Sequence, residues 1–218
     1  MRTFRVNDIF YSLQGEGHHT GRAAVFVRFA GCNLRCPFCD TSFDAYKEMT
    51  GEQILSAIDS HLSSLLSPLS SNPLIVLTGG EPTLQVDEAF VDLLHAHGFE
   101  VAMESNGTRP APRNLDWLTV SPKVIRGESR EQRGERRPDE LKIIFDDETD
   151  PESYLVAYKS VFSLHSPQKS SIPLLYLQPC DTGDPERNVL IVNDCVAYIK
   201  QHPQWRLSLQ THKLIGID

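Results

Sequence analysis

Three cysteines, Cys32, Cys36 and Cys39, fall within eight residues of one another in the stretch from Gly31 to Asp40. Their C-x3-C-x2-C spacing brings three thiolates close enough to hold three irons of a cubane cluster. A [4Fe–4S] cluster kept for electron transfer alone normally takes four cysteine ligands. The two other cysteines, Cys180 and Cys195, stand far along the chain in different surroundings. A cluster on three thiolates leaves one iron open, and an open iron can bind a small molecule and do chemistry on it. Two plainer readings stand beside this one. Thiolates also suit zinc, with a fourth ligand from elsewhere, or the three could be unconnected buried thiols. Zinc motifs usually come as two separated ligand pairs, and no second pair follows here.

The cysteine spacing, with the aromatic Phe38 just before the last cysteine, resembles the signature of the radical S-adenosylmethionine (SAM) enzymes. That resemblance implies an open iron chelated by the amino and carboxylate groups of SAM. One electron from the cluster then splits the sulfonium, and the resulting 5′-deoxyadenosyl radical takes hydrogen from a substrate.

Polar groups recur where a ligand of that kind would need them. Thr78-Gly-Gly-Glu-Pro82 follows the apolar run Leu74–Leu77 directly. Gly79 and Gly80 would let the backbone approach a ligand closely, and with Glu81 they match the GGEP motif that contacts the SAM amino group in the resembled enzymes. Ser105-Asn-Gly-Thr108, Ser121-Pro122-Lys123 and Gln178-Pro-Cys-Asp181 each close another strand-like run. Any one of these alone reads as a turn or a helix cap. Four successive strand ends of this kind point to one binding edge. The hydroxyls and amides there suit the ribose and carboxylate of SAM, Lys123 is a charge partner for the carboxylate, and Phe38 either stacks near the adenine or simply packs.

The N-terminal segment speaks to a second ligand. Ser12-Leu13-Gln14-Gly15-Glu16-Gly17 carries an amide and a carboxylate suited to a heterocycle edge. A carboxylate accepts two parallel N–H bonds from an aminopyrimidinone as it does from arginine. Arg28 lies inside the apolar run Ala24–Ala30, where a charge needs a partner if buried. Its partner is either an internal carboxylate such as Glu16 or a carboxylate on the substrate.

The elements that must position these residues alternate strand and helix. Thr50-Gly-Glu-Gln53 is a capping box, and Ile54, Ile58, Leu62, Leu65 and Leu66 mark one helix face behind it. A helix with Phe90, Val91, Leu93 and Leu94 closes near Gly98. Strands follow at Val101–Glu104, Leu118–Val120 and Leu141–Phe145. Asp150-Pro151 opens a helix running to about Phe162. Leu174–Leu177 is a strand, Val189–Ile199 a helix, and Arg206–Gln210 a last strand before a short tail. The pattern predicts an α/β fold over residues 1–218 as one domain, with a parallel sheet and outer helices. Six or so strands are too few for a closed barrel of eight. The expectation is a partial, open TIM-like barrel with the ligand at the carboxyl ends of the strands.

Composition excludes several other classes. The chain has 218 residues, 40% hydrophobic and 23% charged, with a formal charge of −8. That balance argues against a broad nucleic-acid-binding face. No apolar run reaches membrane-spanning length, the N-terminus lacks the apolar core of a signal peptide, and clustered cysteines suit a reducing compartment, so a cytoplasmic location is expected. Arg126, Arg130, Arg133, Arg136 and Arg137 interleave with Glu128, Glu131 and Glu135; the segment reads as a solvated loop, or as a flap or partner contact near the site.

SLQGEG, VRFAGCNLRCPFCDT, TGGEP, SNGT, SPK and the ending Gln210-Thr-His-Lys213 together resemble the 7-carboxy-7-deazaguanine synthase family, from Ser12 to the C-terminus. The resemblance implies the ring contraction of 6-carboxy-5,6,7,8-tetrahydropterin to 7-carboxy-7-deazaguanine with loss of ammonia, on the way to queuosine and other 7-deazapurines. It implies substrate contacts from Leu13, Gln14, Gly15, Arg28 and Thr78, with the C-terminal carboxylate of Asp218 also turned to substrate. Gly80, Ser121, Lys123, Gln178 and the Phe38–Asp40 stretch would contact SAM. Thr41 would be the protein ligand of an assisting Mg²⁺, for which a hydroxyl oxygen is a reasonable partner. A homodimer and a flavodoxin-type electron donor are implied as well. The arginine-rich segment matches none of these motifs, and the resemblance assigns it no role. Two other functions compete. A radical activase acting on a glycine of a partner protein would share the cysteines but would not need Gln14, Glu16 and Arg28. A non-catalytic iron–sulfur or zinc module would leave the polar strand ends unexplained.

Overall fold

The computed structural model describes residues 2–39, 42, 45–63, 72–123, 136–162 and 173–217. The chain opens with β1 (Thr3–Leu13), β2 (Ala23–Phe29) and β3 (Lys47–Thr50), which pair antiparallel in the order β3-β1-β2. Then come α1 (Gly51–Leu62), β4 (Leu74–Gly79), α2 (Glu88–Ala96), β5 (Glu100–Ser105), β6 (Trp117–Val120) and β7 (Glu140–Phe145). The chain continues through α3 (Pro151–Phe162), β8 (Leu174–Pro179), α4 (Pro185–Gln201), β9 (Trp205–Leu207) and α5 (Thr211–Ile215).

The nine strands among the described residues form one sheet in the order β3-β1-β2-β4-β5-β6-β7-β8-β9. From β2 to β9 the pairing is parallel throughout, each strand beside the next parallel strand of the sequence. Winding in one direction puts successive right-handed crossovers on the same face. The result is an open, partial barrel with helices outside, as the alternation predicts. The predicted strand count is too low because β3 shows no run that marks it, and because it omits β1, although Phe4 and Val6 alternate with polar residues ahead of Ile9-Phe10-Tyr11. β3 is Lys-Glu-Met-Thr, largely polar with its first two residues exposed, and becomes a strand only by pairing with β1.

Side-chain alternation divides the two faces. Val25, Val27, Ile75, Leu77, Met103, Leu141, Ile143 and Leu177 are fully buried and point outward beneath the helices. Ile54 and Ile58 of α1, Phe90 and Leu94 of α2 and Ile191 of α4 close over them. Burying one such side chain contributes roughly 1.5–3 kcal/mol. The intervening residues, among them Phe26, Arg28, Thr78, Glu104 and Lys142, face the concave side.

Local signals set several boundaries. The Thr50 box is formed both ways, with Gln53 N–H donating to Thr50 Oγ1 at 3.3 Å and Thr50 N–H to Gln53 Oε1 at 2.8 Å. Asp87 caps α2 and Gly98 follows it at φ +78°. α4 starts four residues before the predicted Val189, because Asp184 caps it and Pro185 takes its first position. β9 ends at Leu207, short of the predicted Gln210: Ser208 N–H gives the last ladder bond, to Leu177 O, and Thr211 begins α5. Leu65 and Leu66, placed on the first helix by the sequence, lie outside the described residues, as do Arg126, Arg130 and Arg133. Arg136 is pinned by Asp139 Oδ2 and Leu115 O, both at 3.0 Å. Among the described residues no helix is long and apolar enough to cross a membrane.

Candidate active site

The concave face encloses a cavity of about 760 Å³ at the carboxyl ends of the parallel strands. Its upper wall is the loop after β2. Gly31 turns the chain at φ +86°, buried Leu34 anchors it, and Cys39 N–H closes on Cys36 O at 3.1 Å. Cys32, Cys36, Phe38 and Cys39 all line the cavity. Cys32 Sγ accepts from Leu34 N–H at 3.4 Å and from Asn106 Nδ2 at 3.8 Å. Burial raises the Cys32 thiol pKa, with Glu81 and Cys39 adding to the rise, so its thiolate would form as metal binds.

The glycine turn after β4 is zipped to this loop. Gly80 N–H donates to Phe29 O and Glu81 N–H to Gly31 O, each at 2.9 Å. A Cβ on Gly79, at φ +127°, would lie 2.2 Å from Phe29 O, and one on Gly80 would lie 2.1 Å from Gly31 O. Only glycine fits at either place. Glu81 is fully buried behind the wall and does not line the cavity. Its Oε1 accepts from Thr83 N–H, Thr83 Oγ1 and Ser105 Oγ, and its Oε2 from Asn106 N–H at 2.7 Å. One carboxylate thus ties the GGEP turn to the Ser105–Thr108 turn.

Further round the wall, Lys123 Nζ donates to Ser121 Oγ at 2.7 Å and lies 5.8 Å from the Phe38 ring centre. Burial pulls the Lys123 ammonium below its ordinary range, and the Lys142 charge adds to the fall. Gln178, 4% exposed, accepts from Ser208 Oγ at 2.9 Å. Pro122 is buried off the cavity wall. Asp181 is off it too and pairs with Lys213 at 2.9 Å. The Lys213 ammonium, the Gly183 N–H and the Asn188 amide hold the Asp181 carboxyl down to about 2.

The floor comes from the β1–β2 connection, which crosses beneath the open barrel. Leu13, Gln14, Gly15 and Glu16 all reach the cavity. Gly15 packs on His212, and its O accepts from Thr211 N–H and Oγ1. Lys142 Nζ donates to Glu16 Oε2 at 2.6 Å and to Glu104 Oε2 at 3.0 Å. Gln210 Nε2 reaches Glu16 Oε1 at 3.1 Å. Burial pushes Glu16 upward, but Lys142 and Gln210 outweigh it and leave the carboxyl below its usual range. Burial dominates at Glu104 and raises it, Lys142 offsetting only part. Burial would lower Lys142, yet Glu104 and Glu16 together hold it firmly protonated. Arg28 pairs in register with Thr78, and both line the cavity. The Arg28 guanidinium sits 5.5 Å from the Phe10 ring centre.

The structure therefore gathers around one cavity the three cysteines, Phe38, Gly79, Gly80, Ser105, Ser121, Lys123 and Gln178, with Leu13 to Glu16, Arg28 and Thr78 on the same surface. Glu81, Pro122 and Asp181 stay off it. Asp40, Thr41 and Asp218 lie outside the described residues. Glu104 and Lys142 also line the cavity and were not singled out from sequence, while Asn106 and His212, lining it too, entered only within the Ser105–Thr108 and Gln210–Lys213 motifs. Alternation gives the missed signal, since Glu140 and Lys142 alternate with Leu141 and Ile143 and so face the concave side.

The cysteine wall suits an iron–sulfur cluster. Three thiols share one face, one sulfur already accepts two N–H bonds of the kind that tune such clusters, and the glycine turn leaves backbone bare beside them. Among the described residues no three His, Cys, Asp or Glu side chains already converge on a common metal position. Partial barrel and three-cysteine loop define the class, and a sequence model of the radical SAM superfamily matches residues 26–126.

Full-length relatives narrow it. A 7-carboxy-7-deazaguanine synthase of Bacteroides thetaiotaomicron is 41% identical over 98% of both chains, and one of Bradyrhizobium diazoefficiens 40% over 99% of both. The crystal structure of QueE from Escherichia coli superposes with a TM-score of 0.66 at 25% identity, covering 95% of this chain and 93% of that one. The chain belongs to the 7-carboxy-7-deazaguanine synthase family.

Proposed function

We propose that this enzyme converts 6-carboxy-5,6,7,8-tetrahydropterin to 7-carboxy-7-deazaguanine, releasing ammonia. The carrying observation is a cavity lined by thiols and glycines on one wall and by the amide, carboxylate and cationic groups of Gln14, Glu16, Lys142 and Arg28 elsewhere. When bound, a [4Fe–4S] cluster and SAM supply a carbon radical that removes one substrate hydrogen and later returns it. Substrate and the two products balance atom for atom, so no oxidant is consumed.

Cys32, Cys36 and Cys39 hold the cluster in this reading, and the bare backbone at Gly79 and Gly80 with Ser105, Ser121, Lys123 and Gln178 orients SAM. Gln14 and Glu16 address the pterin's aminopyrimidinone edge, Glu16 being kept ionised by Lys142. Arg28 and Thr78 take the substrate carboxylate. Mg²⁺ on Thr41, the Asp218 carboxylate as a substrate contact, a SAM contact of Asp40, a homodimer and a flavodoxin-type reductant belong to the same reading and rest on the sequence resemblance, while a cytoplasmic setting rests on the composition and the clustered cysteines. Glu81, Pro122 and Asp181, off the cavity, are given no SAM contact.

Anaerobic reconstitution tests it. Protein loaded with iron and sulfide, given SAM, a low-potential reductant and the carboxypterin, is expected to form the deazapurine and ammonia in equal amounts. Reconstituted protein that binds SAM yet leaves the carboxypterin untouched would overturn the reading.

A further inference from the structure

Beneath the floor lies a carboxyl that the reaction as described does not use. Glu140 begins β7, is 1% exposed and shares the concave face with Lys142. Its Oε2 accepts the His18 N–H at 2.9 Å. Its Oε1 is buried without a hydrogen-bond partner among the described residues. That oxygen rests against Gly17, where a Cβ would fall 2.1 Å from it and φ is +65°. The neighbouring Gly17 N–H is held by Ser208 Oγ at 3.0 Å. The loop that presents Gln14 and Glu16 upward is thus fastened from below, one residue beyond Glu16.

The charged groups facing Glu140 are Glu104 from β5, Lys142 from its own strand and Glu16 from the loop. From β6 its register partner is Thr119, and His18 offers its backbone amide while its ring stacks on Trp117. Three carboxyls therefore share one ammonium, and Glu16 and Glu104 take its hydrogen bonds. A buried anion without such a partner is costly. Burial, reinforced by Glu104, accordingly raises Glu140 to about 7.

We propose that Glu140 is a positioning residue whose uncharged carboxyl anchors the Gln14–His18 loop beneath the pterin, and that its ionisation loosens that loop. A charged Oε1 cannot remain dry against Gly17. It must draw in water or swing aside, and either displaces the residue next to Glu16. The part concerning the pterin rests on the proposed function; the anchoring does not.

Hydrogen exchange of the peptide spanning Gln14 to His18 tests the anchoring directly. Protection, corrected for intrinsic exchange, is expected to fall about tenfold in wild type between about pH 6 and about pH 8.5, and to stay level in Glu140→Gln. Over that range the carboxypterin KM should rise about tenfold in wild type with SAM affinity unchanged, and remain flat in the variant. Glu140→Ala should raise KM at every pH. Constant protection in wild type, an equal fall in Glu140→Gln, or a parallel loss of SAM affinity would overturn the proposal. The wild-type exchange comparison decides the matter even if a variant fails to fold. Absence of carboxypterin turnover at every pH would refute the reaction while leaving the exchange result to judge the anchor.

Discussion

Lys142 reaches Glu16 across 126 positions of sequence, with Nζ 2.6 Å from Oε2, and the same nitrogen holds Glu104. All three side chains are well shielded, Lys142 to within 4% of complete burial. Removing one member of such a cluster leaves uncompensated charge in the interior. Lys142→Met is expected to cost about 3 kcal/mol in urea unfolding and to weaken carboxypterin binding at least tenfold. Unchanged stability would mean that water solvates Glu16 and Glu104 well enough to replace the ammonium.

Gly80→Ala would push a methyl into the Gly31 carbonyl, 2.1 Å away, and so displace the chain just before Cys32. The obstacle is backbone on both sides and cannot swing clear. The folded core should survive, while SAM affinity of reconstituted protein falls about tenfold or more. Iron content and equilibrium SAM binding, measured together, would show whether the cysteine loop has moved.

Cys32→Ala, Cys36→Ala and Cys39→Ala are each expected to abolish turnover and to lower iron retention. Cys195→Ala and Cys180→Ala should keep activity, costing about 1 kcal/mol of stability through lost packing. Burial pushes the Cys195 thiol to about 12, so alkylating reagents should spare it in the native protein. Turnover retained by any of the first three variants would contradict the ligand assignment.

Arg28→Ala removes the guanidinium that lines the cavity beside Thr78, leaving that of Arg35 in place. The carboxypterin KM should rise about a hundredfold, in line with loss of a charge-assisted bond. SAM binding should shift by less than about threefold. Equal losses for both ligands would place Arg28 outside the substrate end.

Glu140 ionises near 7 when folded and at 4.5 by its reference value. The unfolded chain therefore loses this proton first. Whatever stability the neutral form contributes is complete below about pH 4.5 and declines as pH rises to about 7. Glu140→Gln should remove that decline, gaining roughly 1–3 kcal/mol on wild type between about pH 5 and about pH 7 in urea titrations. Asp181 has the opposite sign, its contribution being present above about pH 4 and lost as pH falls toward about 2.

Features governed by local sterics could be read before any coordinates. The Thr50–Gln53 box, the proline opening α3 and the glycines beside the cysteine loop are each dictated by a few adjacent atoms. Asp184-Pro185 carries the same signal as Asp150-Pro151, yet the polar start of α4 hid it. β3 escaped because strands exist by pairing, and its partner lies more than forty positions away. Asp181 shows the converse limit. A polar residue at a strand end looks ligand-facing, but Lys213 and Asn188 claim it, and only the packing of α5 and α4 decides that.

The floor loop also orders how the molecule comes together. The cysteine wall and its glycine turn draw on β2, β4 and their neighbours, all in the first half of the chain. Gly15, Glu16 and Gly17 are fastened by Thr211, Gln210 and Ser208, contacts spanning nearly two hundred residues. Loop closure over such spans comes late in folding. A ribosome-bound chain would thus complete its cysteine-bearing wall while the floor loop was still open, and the cavity closes only when segments from near its two ends meet.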